Sequence, residues 1–157
     1  MLDTYKFKAT FFCIGNNVEK YPDIYSEILK RGHKTANHTF SHLNGFKSSN
    51  KFYFDNIEKC SELVNSQCFR PPHGRIKYSQ IDFISKKFKI IMWSLLAEDW
   101  NKNLNIDRKI TNLIKHTQTG DIIVFHDSLK ALENIKLLLP AYFEFLSKNN
   151  FKSKLFE

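Results

Sequence analysis

Short apolar runs alternate with longer segments of helical period from one end of this 157-residue chain to the other. An apolar run too short for a stable helix, followed by an amphipathic segment, is the pattern of a parallel strand and its crossover helix. Ala9–Ile14 is such a run, closed by Gly15, and Asp121–Phe125 after Gly120 is the clearest buried strand. Between and around them the spacing predicts a helix from Asn16 to the stop at Gly32, with Pro22 tolerated in its first turns. Further helices are expected over Asn50–Ser66, Ser79–Phe88, Ile106–Thr117 and Leu129–Lys148, the last bent at Pro140. His33–Asn37, Cys68–Arg70 and Ile90–Trp93 read as extended, Phe151–Phe156 as an edge strand, and Met1–Lys6 as the last turn of a helix. The chain is therefore α/β with a mostly parallel sheet, and its length suits one domain over residues 1–157.

In parallel sheets and barrels the chemistry gathers where strands end on their carboxyl side. The residues following the expected strands are His38 and His42, Arg70 and His73, Glu98 to Trp100, and His126 with Asp127. Neutral imidazole is the commonest protein ligand for zinc and related ions, so the pair His38 and His42 reads first as metal-binding. Two ligands do not make a catalytic site, which takes three protein groups and keeps a position for water. On the residues alone, Arg70 reads sooner as a strand-end ion-pair residue and Trp100 as a lid on the core, and His126 can equally be a hydrogen-bonded core histidine. His33 and His116 match no motif and are expected at the surface.

The net charge of +8 raises the question of a phosphate-bearing partner. The lysines are scattered singly or in short pairs among acidic residues, which is the pattern of solvated helix faces, so no nucleic-acid partner is expected. Cys13, Cys60 and Cys68 have no metal-type spacing and suggest no disulfide framework. No apolar stretch approaches membrane-spanning length, so no transmembrane segment is expected.

Lys8–Gly15 (KATFFCIG), His38–His42 (HTFSH), Arg70–Gly74 (RPPHG), Asp99–Trp100 and Ile123–His126 occur in a fixed order along the chain. In that order they resemble the motifs of the polysaccharide deacetylases, also called the NodB homology domain or carbohydrate esterase family 4. The resemblance implies a distorted seven-stranded (β/α) barrel and hydrolysis of the N-acetyl C–N bond of a glycan with the help of a divalent metal. Zinc is the first candidate, with cobalt or nickel also acceptable to such ligands. By the same resemblance His38 and His42 hold the metal, Arg70 orients the base, and His126 protonates the departing amine with Asp99 supporting it. The main-chain N–H of His73 stabilises the oxyanion, and Trp100 walls the acetyl or sugar face. The partner implied is an N-acetylated glycan, and the location of such polymers points to the cell envelope.

The sequence departs from that pattern in three places. His73 stands where the family has Tyr, and Leu96 where many members have an acidic residue. No Asp-Asp pair occurs anywhere, although the family's base and third metal ligand come from one, and Met1 falls where the family's first strand has already ended. The resemblance thus implies an incomplete barrel that lacks its first strand, an open edge able to pair with another chain, and weak or no turnover. The alternative is a non-catalytic glycan-binding or partner-completed remnant of the same fold.

Overall fold

The structure, a computed structural model, describes residues 1–156. The chain packs as two compact units: Lys8–Met92 with the C-terminal residues from Lys154, and Met1–Phe7 with Trp93–Ser153.

The first of these units is built on a parallel sheet in the order β1 (Thr10–Cys13), β2 (Lys34–Asn37), β3 (Cys68–Phe69), β4 (Lys89–Ile90). The register pairs Cys13 with Asn37 and Asn37 with Phe69, which sets the residues that follow, His38 and Arg70, side by side at the carboxyl ends. The helix expected from Asn16 to Gly32 is two helices, α1 (Gly15–Lys20) and α2 (Pro22–Lys30). They divide at Tyr21, whose φ of −131° and ψ of 61° leave the helical region because a proline ring crowds the residue before it. Pro22 then opens α2, where its missing N–H is no loss. α3 (Asn50–Ser61) is capped by the Ser49 side chain, which accepts from Phe52 N, and it buries Tyr53, Ile57 and Cys60. α4 (Tyr78–Ile84) follows the Pro71–Pro72 turn, and Tyr53, Ile57, Phe69, Ile84 and Phe88 pack into one core.

The second unit holds β5 (Leu95–Leu96), parallel to β6 (Ile123–Val124). The expected single strand Ile90–Trp93 is therefore replaced by two short strands, β4 and β5, in separate sheets. α5 (Ile106–His116) starts at an Asn105 cap, and α6 (Leu132–Lys148) keeps Pro140 within it. Their apolar faces close on Phe7, Ala97, Leu113, Leu138, Tyr142 and Phe143.

Met1–Lys6 forms hydrogen-bonded turns rather than a helix end, with Tyr5 N donating to Met1 O. Residues 151–156 form no strand: Phe151 N turns back to Leu146 O at the end of α6, so the alternation there has no ladder behind it. His33 is buried, not on the surface, and its Nδ1 accepts from Ala9 N at 3.3 Å. Among the described residues no disulfide joins Cys13, Cys60 or Cys68. No helix among the described residues is long and apolar enough to cross a membrane.

Candidate active site

At the end of β2 the chain leaves the sheet through Asn37, which is fully buried and directs the next turn. Its amide Nδ2 donates to Ile57 O and Ser61 Oγ, and its Oδ1 accepts from Thr39 N at 2.9 Å. Thr39, also fully buried, adopts φ 63°, and its Oγ1 accepts from Leu43 N. Gly15 makes this path possible: a Cβ there would stand 2.7 Å from Phe40 Cδ2 and 3.1 Å from its Cα. The residues between His38 and His42 thus follow a fixed loop rather than a helical turn, with His42 itself at φ 56°.

That loop brings the rings of His38 and His42 to a centroid separation of 5.0 Å, and His73 stands 4.6 Å from His42. His38 Nδ1 lies 2.6 Å from the carbonyl oxygen of Arg70. A carbonyl only accepts, so Nδ1 carries the proton and, in the neutral ring, Nε2 carries the lone pair. A histidine oriented in this way through one nitrogen is typical of metal ligands. His38 and His42 therefore fit as two nitrogen ligands of a divalent ion. Among the described residues no group of three or more His, Cys, Asp or Glu side chains could hold a metal ion.

Arg70 is buried beneath this pair. Its Nε donates to Ile91 O at 3.0 Å, its Nη2 to Met92 O at 3.1 Å, and its guanidinium lies 3.9 Å from the Phe12 ring centre. Burial lowers its pKa from 12.5 to about 10, which still leaves it charged near neutrality. His73 occupies a left-handed position at φ 58° in the turn after Pro71–Pro72, with its side chain exposed.

In the other unit, Asp99 is completely buried and meets His126 twice. Oδ1 is 2.8 Å from His126 Nδ1, and Oδ2 accepts from His126 N at 2.6 Å. The Trp100 ring stands edge-on to His126 at 4.6 Å, with two-fifths of its surface exposed. Four further residues support these groups. Glu98, at φ 54°, takes an ion pair from Lys109 at 2.6 Å, and Asn134 donates to Asp99 O. Asn37, at the end of a strand and directly before His38, could have been recognised, since Asn there readily forms such a turn. Glu98 stands among the polar residues that follow the strands, whereas Lys109 and Asn134 give no local signal.

A family model described as polysaccharide deacetylase matches residues 1–88, more than half of the chain. The chain belongs to the polysaccharide deacetylase family. It is 34% identical over 134 residues to a peptidoglycan-N-acetylglucosamine deacetylase of Bacillus cereus, a match covering 81% of this chain and 48% of that protein. It is 33% identical over 143 residues to chitin deacetylase 2 of Saccharomyces cerevisiae, covering 82% of this chain and 45% of that protein. This polysaccharide deacetylase family member thus spans about half the length of those two curated relatives. A crystal structure of a peptidoglycan N-acetylglucosamine deacetylase superposes with a TM-score of 0.90 at 30% identity, over 98% of this chain and 75% of that one. The α/β fold with parallel strands expected from the alternation of strands and helices is the fold of that structure.

Proposed function

We propose that this polysaccharide deacetylase family member carries a metal-assisted site that removes acetyl groups from an N-acetylated glycan, of the kind named for its peptidoglycan- and chitin-directed relatives. The observation that carries the reading is the His38 ring, fixed through Nδ1 on the Arg70 carbonyl beside His42. A divalent ion held by His38 and His42, zinc foremost and cobalt or nickel otherwise, would polarise the acetamide carbonyl and acidify a water molecule. Arg70 keeps the strand end under His38 rigid. The His73 main-chain N–H is assigned to the developing oxyanion, where one such donor is worth about 10²–10³-fold in rate. His126 gives a proton to the departing amine as the C–N bond breaks, and Asp99 stabilises the charged imidazole before that transfer. Trp100 offers an apolar face beside His126 to the acetyl group or the sugar. The products are acetate and a free amine on the glycan. The polymers concerned place the activity at the cell envelope.

The absence of a three-residue ligand group among the described residues favours a second reading, a glycan-binding or partner-completed module of the same fold. Two imidazoles hold a metal poorly, and the aspartate pair that supplies the base in the family pattern does not occur in this sequence. Slow turnover is therefore expected of residues 1–157. Acetate release from N-acetylated peptidoglycan and chitin oligosaccharides, with zinc added or chelated, tests the first reading. Slow release that zinc supports and that His126→Ala abolishes is the expected result. Glycan binding that is indifferent to metal, with no acetate released, would establish the second reading instead.

A further inference from the structure

Asn134 lies on α6, outside every motif that the family resemblance supplies, and half-buried on a helix whose exposed neighbours are Glu133 and Lys136. Its Nδ2 donates to the carbonyl of Asp99 at 2.8 Å and to that of Asn101 at 2.9 Å. A helical side chain thereby clips both ends of the Asp99–Asn101 turn. The residue just before that turn, Glu98, is paired with Lys109 of α5 at 2.6 Å. That clamp is needed because Glu98 sits at φ 54°, a conformation that costs a non-glycine residue about 1–3 kcal/mol and persists only when its surroundings enforce it.

The consequence reaches His126 through Asp99. The buried carboxylate accepts from both the main-chain N–H and Nδ1 of His126, so its position decides which ring nitrogen carries the proton. The Asp99 carboxylate is reached by His126 and its carbonyl by Asn134. We infer that Asn134 is a positioning residue, which fixes the Asp99 turn so that His126 holds its proton on Nδ1 and presents Nε2 for proton transfer. The inference rests on the proposed role of His126, but its test needs neither metal nor substrate.

The experiment is ¹⁵N NMR of histidine-labelled chain 1–157 at a pH where the imidazoles are neutral, with Asn134→Ala and Asn134→Asp beside the wild type. Alanine favours the helix, and aspartate keeps the shape while removing both donors. The expected wild-type spectrum shows His126 as a single Nδ1–H tautomer. Both variants are expected to keep the remaining histidine signals and to show His126 as an exchange-averaged mixture of tautomers. Asn134→Gln, which retains the amide, is expected to recover part of the Nδ1–H signature. Retention of the pure tautomer in Asn134→Asp would overturn the inference. If His126 behaved as expected while the chain released no acetate, the positioning role would stand and the catalytic reading would fail.

Discussion

Asp99 and His126 are joined through two atoms of each residue: Oδ1 to the ring at 2.8 Å and Oδ2 to the main chain at 2.6 Å. A carboxylate that holds both ends of a residue controls its ring angle as well as its tautomer. The pair is also asymmetric in burial, with Asp99 fully covered and the His126 side chain 41% exposed. The His126 ring is therefore open to solvent while its partner stays dry.

Asp99→Asn separates charge from shape. An asparagine can accept one of the two bonds through its oxygen but must point its NH₂ at the other donor. The cost in stability is expected to be about 1–3 kcal/mol, the usual figure for an unsatisfied buried donor. Metal-supported acetate release should fall by about 10²-fold, the lower end for loss of general acid–base assistance. Thermal melting and the acetate assay check the two effects separately, and an unchanged rate would remove His126 from the chemistry.

Tyr53 gives the opposite expectation. It is fully buried in the core with Phe69 and Ile57, and its hydroxyl has no hydrogen-bond partner among the described residues. Burial alone raises its pKa. Tyr53→Phe removes an unpaired polar atom at almost no cost in volume, so a gain of about 1 kcal/mol is expected in denaturant unfolding. A loss of comparable size would mean that the hydroxyl is satisfied in solution.

The same residue sets the alkaline behaviour. Burial raises the pKa of Tyr53 and of Tyr142 above the ordinary 10.0, so the folded state keeps protons that the unfolded chain releases. Their contribution to stability is fully present below pH 10 and is lost as the pH rises above it. Arg70, lowered to about 10 from 12.5, acts in the opposite sense over that interval, because the unfolded chain then binds the extra proton. Two tyrosines against one arginine should lower the melting temperature between about pH 10 and 11. Tyr53→Phe should make that fall shallower, which melting curves across the interval would show.

Much of the fold could be read from the chain because short apolar runs alternate with amphipathic segments, and several of the runs end in polar residues. Asn37 precedes His38 and Phe69 precedes Arg70, and the register that aligns Asn37 with Phe69 brings both ends together. The break before Pro22 was legible in principle, since a residue preceding proline resists the helical region. β5 was not: Leu95–Leu96 resembles any apolar pair, and no longer apolar run surrounds it as one surrounds β6. His33 was misplaced because nothing local shows that Ala9 N lies against its ring. The supports of the site were hidden for the same reason. Asn134 lies 35 residues from Asp99 in sequence, so only the folded chain shows what its amide reaches.

Zinc titration of the purified chain by calorimetry, repeated on His38→Ala and His42→Ala, addresses the proposed metal site without depending on turnover. Weak binding of one ion per chain is expected, and removing either imidazole should weaken it by at least about tenfold. Binding that survives both substitutions unchanged, or no binding at millimolar zinc, would contradict the metal-assisted reading.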